Sequence, residues 1–320
     1  MAAEEGVFLL VGCLLQHYRS LDGVSLQNTC LAIGVFDGVH RGHQVVLKQL
    51  TADARQVGAP AVVLTFYPHP TVILGRRNDL KYLTLPDEKA AVLFALGVDA
   101  VITHPFDKSL SALSAHEFMG RVQAHLGVRR LWVGDDFALG HNRQGNVACL
   151  TELGKTLGYE VQAITPLTNG GEKISSRHIR TLLDTGQVVE AATQLGRYYV
   201  LSGPIIHGDG RGRKINVPTA NMKYPTEKVV PANGVYACWA WLGGQRRKAV
   251  TNIGIRPTFT PEERMAHIET HLLDFNQELY GEEVRLEFVA RLRDEMRFSS
   301  AEELLRQIHT DIDGARHILR

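Results

Sequence analysis

The chain lacks any real imbalance of charge. Its 320 residues carry 35 Lys and Arg against 34 Asp and Glu, a formal charge of +1. There is no basic field to hold nucleic acid or an anionic membrane nonspecifically, so any recognition of phosphate must be local. Cysteine is scarce and scattered. Cys13, Cys30, Cys149 and Cys238 have no metal-type spacing and read as small buried hydrophobes in a reducing cytoplasm. The apolar run Gly6–Leu15 is too short to cross a bilayer. Glu4 and Glu5 stand before it, where a signal peptide would carry positive charge. It reads as an early buried strand or a short lead-in helix. Internal repeats and low-complexity stretches are also missing.

What is present suits two domains, since one domain usually takes roughly 100–200 residues. Up to about Leu183, apolar β-rich runs alternate with helical patterns. The runs are Leu31–Val35, Ala61–Phe66, Val98–Thr103, Arg130–Val133 and Tyr159–Ile164. The helical stretches are Gly42–Val57, Pro86–Leu96, Ser114–Leu126 and Thr151–Leu157. Alternation of this kind predicts a doubly wound α/β domain, a parallel sheet covered on both faces, with ligands at the carboxyl ends of its strands. After Arg180 the texture changes. A helix over Val188–Leu195 leads into strand-like runs at Tyr198–Ser202, Gly234–Leu242, Arg247–Ile253, His267–Leu273 and Val284–Arg291. Short strands with little helix between them predict an antiparallel β-barrel, closed by a C-terminal helix over Ser299–His309. The expected division is 1–185 and 186–320.

The most informative segment is Ala32–His43. An apolar strand runs into glycines, then into His40 and His43 with Gly42 between them, then into a helix. That order suits a nucleoside triphosphate. Glycine lets backbone approach phosphate oxygens, and a helix N-terminus offers free N–H groups. Imidazoles there can donate to charge that develops in a transition state. A surface turn with one incidental histidine would not need all four features in sequence.

Three further segments of the first domain carry chemistry. Thr65–Pro70 is a stiff two-proline loop holding Phe66 and His69; alone it reads as a rigid turn. Gly134–Gly145 follows a strand and contains Asp136 and Phe137; its aspartates also suit a cap for the next element. Lys173–Arg180 places Ser175 and Ser176 at a helix start, with Arg180 one turn on. That is an ordinary N-cap, and it is equally the chemistry of a phosphate clamp. In the second domain, His207–Asn221 is rich in glycine and arginine and ends in Pro218, Thr219, Ala220 and Asn221. On an extended segment Thr219 and Asn221 share one side, and their hard oxygens suit Mg²⁺. Glu269 stands in the strand-like Ile268–Phe275, where a carboxylate beside a substrate hydroxyl can act as general base.

The His-x-Gly-His of residues 40–43 resembles the hallmark of the nucleotidylyltransferase superfamily. The longer string Gly34–His43 is more specifically similar to the bacterial bifunctional riboflavin kinase/FMN adenylyltransferase family. That family's Phe-x-Pro-His-Pro, Gly-x-Asp/Asn-Phe, Ile-Ser-Ser-Thr-x-Ile-Arg, Pro-Thr-Ala-Asn and Glu-Thr-His segments all have counterparts here, in family order. Further matches are Ala249–Phe259, Leu279–Gly281 and Gln307–Asp311.

The resemblance implies a Rossmann-like adenylyltransferase domain followed by a riboflavin kinase barrel. The kinase would pass the γ-phosphoryl of ATP to riboflavin, giving FMN. The first domain would join FMN to a second ATP, giving FAD and pyrophosphate. His40, His43, Arg180 and Glu269 would be catalytic. Gly34, Phe36, Gly42, Ser175, Ser176, Gly208, Gly210, Gly212 and Arg213 would hold ATP phosphates. Phe66, His69, Asp136 and Phe137 would line the flavin, and Thr219 with Asn221 would hold Mg²⁺. Partners would be small molecules, with no nucleic acid or membrane, and the chain a monomer or weak homo-oligomer in the cytoplasm. Five positions depart from the family pattern. Ala138 stands where arginine is common, Leu139 replaces an aromatic, Arg177 takes the threonine position, and Asn216-Val217 replaces Gly-Phe. Two other readings are a nucleotidylyltransferase for a different acceptor and a flavin-binding protein with a decayed kinase site.

Overall fold

The computed structural model describes residues 6–10, 13–77, 79–164, 168–169, 172–207, 217–255 and 266–320. They form two compact units, Met1–Ser175 and Ser176–Arg320.

The first unit is built on a seven-stranded sheet. In chain order its strands are β1 Gly6–Leu10, β2 Cys13–Tyr18, β3 Thr29–Ile33, β4 Ala61–Tyr67, β5 Ala100–Pro105 and β6 Val128–Gly134. After the two-stranded ribbon β7 Ala138–Leu139 and β8 Gly145–Asn146 comes β9 Glu160–Ile164. The spatial order is β1-β2-β5-β4-β3-β6-β9. From β2 to β9 every pairing is parallel, and only β1 runs against its neighbour. Gly6–Leu15 is therefore neither a single strand nor a helix. It spans the two arms of an edge hairpin in which Leu10 faces Cys13.

The strands are apolar on both sides because both sides are covered. Leu31, Ile33, Val62, Leu64 and Ile102 pack into one core with Phe118, Met119 and Val122 of α5 (Ala115–Leu126) and Leu150 of α6 (Val147–Leu157). Their alternates Cys30, Ala32, Ala61, Val63 and Val101 pack into another. That second core includes Leu47 and Leu50 of α1 (Arg41–Val57) and Leu93 and Phe94 of α3 (Pro86–Ala95). Two short helices, α2 Pro70–Ile73 and α4 Lys108–Ala112, fill connections. Local signals set the helix starts. The Ser114 hydroxyl accepts from the Glu117 N–H, and the Glu117 carboxylate accepts from the Ser114 N–H at 2.8 Å, a reciprocal cap. Asn146 caps α6 by accepting from Cys149 N–H, so that helix begins four residues before the apolar pattern at Thr151.

Strand order reverses between β3 and β6, the two halves winding outward from this pair. Binding crevices of doubly wound sheets open at the carboxyl ends of strands at such a point.

Past the small ribbon β10 Thr168–Asn169 and β11 Glu172–Lys173, the second unit opens with helices α7 Ser176–Asp184 and α8 Val188–Leu195. A closed barrel follows: β12 Tyr199–Ile206, β13 Ala220–Met222, β14 Gly234–Leu242, β15 Gln245–Ile255, β16 Ala266–Leu272 and β17 Glu283–Arg293, in the order β12-β13-β16-β15-β14-β17. All neighbours are antiparallel, and β12 closes on β17 from Tyr199↔Phe288 to Pro204↔Glu283. On β16, Ile268, Thr270 and Leu272 are buried while Glu269 and His271 alternate with them toward the outer face. Helix α9 Ala301–Ile318 lies against the barrel, Ala315 and Leu319 packing on Ala237. It runs nine residues beyond the expected end at His309, through Gly314.

Candidate functional site

Three of the sequence motifs leave the carboxyl ends of three adjacent parallel strands, β4, β3 and β6. Ile33 lies beside Leu64, Gly34 N–H donates to Leu64 O at 3.1 Å, and Ala32 lies beside Trp132. Phe66, Gly34 and Gly134 therefore begin loops along one edge of the sheet, around its switch point.

The turn after β3 is bent hard. Phe36 and Val39 hold φ of 49° and 42°, with Gly38 between them at 77°. A left-handed conformation costs a side-chain-bearing residue about 1–2 kcal/mol, more for a β-branched one, and is kept only where neighbours enforce it. Asp37 is one such neighbour. Its buried carboxylate accepts from Leu83 N–H (3.1 Å) and Thr84 N–H (3.0 Å), and Thr84 Oγ1 accepts from Gly38 N–H (2.9 Å). Gly34 and Gly42 are glycines for ring packing. A Cβ on Gly34 would lie 3.0 Å from the Phe36 ring, and one on Gly42 would lie 3.1 Å from the His40 ring.

The turn ends in the N-terminus of α1, with His40 as its cap. His40 Nδ1 accepts from His43 N–H at 3.3 Å, which leaves Nε2 as the protonated, donating nitrogen. The two imidazoles stack with centroids 3.6 Å apart and planes at 18°, and Phe36 meets His43 edge-on at 5.2 Å. This sets two donors side by side at a helix start. Within the same unit, the Ile174 carbonyl lies 3.7 Å from where a Gly42 Cβ would sit. The chain thus passes this turn immediately before Ser175.

The other two loops carry rings on the opposite core. Phe66 packs near Phe106 (5.6 Å) and Phe118 (6.2 Å), and Phe137 packs half-buried on the same cluster. His69 caps α2, Nδ1 accepting from Thr71 N–H at 3.1 Å, while its own N–H donates to the Tyr82 hydroxyl at 2.9 Å. Asp136 is exposed in the turn closed by Phe137 N–H to Gly134 O, with Oδ1 3.3 Å from a Cβ placed on Gly134. Ala138 lies in β7. Ser176 begins α7, a helix of the second unit, whose first turn holds the exposed Arg177, with the buried Arg180 one turn on.

In the barrel, Glu269 is flanked by Asn221 of β13 on one side and Asn252 of β15 on the other. Thr219 is exposed two residues before Asn221. His271 fixes this segment, Nδ1 lying 2.8 Å from the Pro218 carbonyl and hence donating to it. Hydroxyl, carboxamide and carboxylate oxygens are thus gathered on the outer face of two paired strands, a donor set that fits Mg²⁺ shared with phosphates. Gly208, Gly210, Gly212, Arg213 and Asn216 lie outside the described residues.

Asn252, His271, Asp37 and Lys89 are site neighbours that sequence reasoning left without a role. For Lys89 a signal existed. It falls four residues before Leu93, on the apolar stripe of α3.

Residues 23–178 match the family model of FAD synthetase, and residues 195–319 that of riboflavin kinase. With the sheet and the barrel, this defines the class: a two-domain transferase pairing a nucleotidyl-transfer fold with a kinase barrel. The chain is 36% identical to the bifunctional riboflavin kinase/FMN adenylyltransferase of Listeria monocytogenes, over 94% of its own length and 96% of that protein's. It is 37% identical to the Bacillus subtilis protein of the same description (93% and 94% covered) and 35% to that of Escherichia coli K12 (95% and 96%). A crystal structure described as a macrolide-efflux protein from Streptococcus pneumoniae superimposes with a TM-score of 0.86 at 29% identity, covering 94% of this chain and 98% of that one. The chain belongs to the bifunctional riboflavin kinase/FMN adenylyltransferase family.

Proposed function

We propose that the chain makes FAD from riboflavin in two ATP-dependent steps, each run by one domain. The observation that carries this reading is the stacked His40–His43 pair capping α1 at the switch point of a sheet, in a chain whose barrel aligns Asn221 with Glu269.

In the kinase step Glu269 takes the proton of the riboflavin 5′-hydroxyl, whose oxygen attacks the γ-phosphorus of ATP as ADP leaves. Thr219 and Asn221 hold Mg²⁺, which when bound neutralises charge on the phosphates. Phosphoryl transfer depends mainly on positioning and electrostatics, so few protein groups are required. Gly208, Gly210, Gly212 and Arg213 are assigned to the ATP phosphates of this step. In the adenylyl step an FMN phosphate oxygen attacks the α-phosphorus of a second ATP and pyrophosphate leaves, with no enzyme-bound intermediate. His40 and His43 donate to the charge that builds on the phosphates, and Ser175 adds a further donor; Ser176 and Arg180, expected beside them from the sequence, belong to the second unit. Gly34, Phe36 and Gly42 shape the turn that approaches ATP. Phe66, His69, Asp136 and Phe137 take the flavin.

The near-zero net charge supports small-molecule partners over nucleic acid or membrane. Cys30, Cys149 and Cys238 are free thiols, as suits a reducing cytoplasm. Incubation with riboflavin, ATP and Mg²⁺, followed by chromatography for FMN and FAD, tests the whole reading. His43→Ala is expected to lower FAD formation from FMN by about 10²–10³, the usual cost of one charge-stabilising donor, and to spare riboflavin phosphorylation. Glu269→Ala is expected to do the reverse. Equal loss of both reactions in either folded variant contradicts the assignment.

A further inference from the structure

Beneath the turn that carries His40 and His43 lies an ammonium group that this chemistry does not use. Lys89 sits on α3 among Ala90, Leu93 and Phe94, only 3% exposed. Its Nζ donates to the Val35 carbonyl at 2.9 Å and to Thr65 Oγ1 at 3.0 Å. Thr65 Oγ1 itself donates to the same Val35 carbonyl at 2.8 Å. Three elements meet at that oxygen: the chain leaving β3, the carboxyl end of β4 and the first turns of α3. Val35 stands between Gly34, over which the Phe36 ring folds, and Phe36, the first left-handed residue of the turn.

An apolar side chain would fill this space without the desolvation that a buried ammonium suffers. What it would lack is a donor to Val35 O. Asp37, two residues on, reaches across to Leu83 and Thr84 at the approach to the same helix, and its negative charge favours the ammonium. The turn is therefore pinned twice to one region, by its carbonyl before the bend and by its carboxylate within it.

We propose that Lys89 is a positioning residue for the adenylyl step, fixing the Val35 carbonyl and thereby holding the turn in the left-handed shape that stacks His40 on His43. The inference rests on the reading of those histidines as the charge-stabilising pair.

The test uses the full chain with Lys89→Met, His43→Ala and the double substitution. FMN-to-FAD conversion is followed at varied ATP, and riboflavin phosphorylation in the same samples reports on the rest of the molecule. Lys89→Met is expected to lower the adenylyl kcat by about 10²-fold, as for a catalytic group misplaced by about 1 Å, with the KM for ATP little changed and phosphorylation intact. In the His43→Ala background the same change is expected to cost little more, because both residues act through one turn. Losses that multiply, as a general weakening of the domain would give, overturn the inference. So does a wild-type adenylyl kcat in Lys89→Met beside a crippled His43→Ala. A His43→Ala chain that still makes FAD normally overturns the site reading, and the inference with it. If Lys89→Met does not fold, Lys89→Gln decides: it keeps a polar side chain but is uncharged and one atom shorter, so it gives up the Lys89 bond to the Val35 carbonyl. A reduced adenylyl kcat with phosphorylation intact then supports the proposal, and an unchanged one overturns it.

Discussion

His17 is sealed inside the first unit, its Nε2 2.9 Å from Thr103 Oγ1 and its Nδ1 3.3 Å from Asp87. Burial pushes its pKa down to about 4, Arg19 adds to the fall, and Asp87 opposes it. The folded state thus resists a proton that the unfolded chain accepts near 6.5. Between pH 6.5 and 4 the unfolded state binds more protons, so stability falls as the solution is acidified, by up to a few kcal/mol from this group. Thermal melts across that range should show the fall, and His17→Gln should flatten it. Gly42→Ala makes a second residue-scale test. Alanine at a helical position usually gains about 0.5–1 kcal/mol over glycine, but here its Cβ would press the His40 ring at 3.1 Å. The expected result is near-normal stability with a reduced adenylyl kcat, read from melts and FAD formation. The sequence marked Gly42 as a glycine of the turn, but not the ring contact that asks for one there. Its contact is with a side chain two residues away, which depends on rotamers that no spacing rule contains.

At the scale of elements, the parallel strands and helices α1, α3 and α5 followed from apolar runs and caps, within a few residues of their observed ends. Features fixed by tertiary contact were hidden. The edge hairpin β1–β2 reads as one apolar run, because no polar or charged residue separates its two strands in the sequence. Helix α9 continues past its apparent end because it is tied down: Arg293 grips Asp311 through Nε (3.0 Å) and Nη2 (2.8 Å), and Gln307 donates to the same carboxylate at 2.9 Å. The run Gln307–Asp311, recognisable in the sequence only as a family match, thus latches α9 to β17. Its carboxylate is 5% exposed. Removing one partner of a buried pair leaves the other uncompensated, at a cost of roughly 3–5 kcal/mol. Asp311→Ala should lower the unfolding free energy of the second unit by that measure, read as a lower urea midpoint, while FMN adenylylation continues.

At the scale of the molecule, the expected cut near residue 185 and the division of contacts after Ser175 differ by helix α7. That helix packs on α8, and its Leu183 carbonyl accepts from Ala232 N–H at 2.9 Å in the barrel unit. A fragment starting at Ser176 should therefore melt at a higher temperature than one starting at Gly186, which leaves Ala232 N–H without that acceptor. Equal melting temperatures would assign α7 no share in holding the barrel.

The seam of that barrel joins its first strand to its last, Tyr199 on β12 facing Phe288 on β17. On a ribosome this seam is a clock. The sheet unit can close once residues to about Ser175 have emerged, whereas the barrel must wait for Arg293, 118 residues later (293 − 175). At about 5–20 residues per second that delay is between about 6 and 24 seconds. Each newborn chain thus spends its first moments with the domain assigned to the second reaction folded and the domain assigned to the first still open, so the order of maturation is the reverse of the order of metabolism.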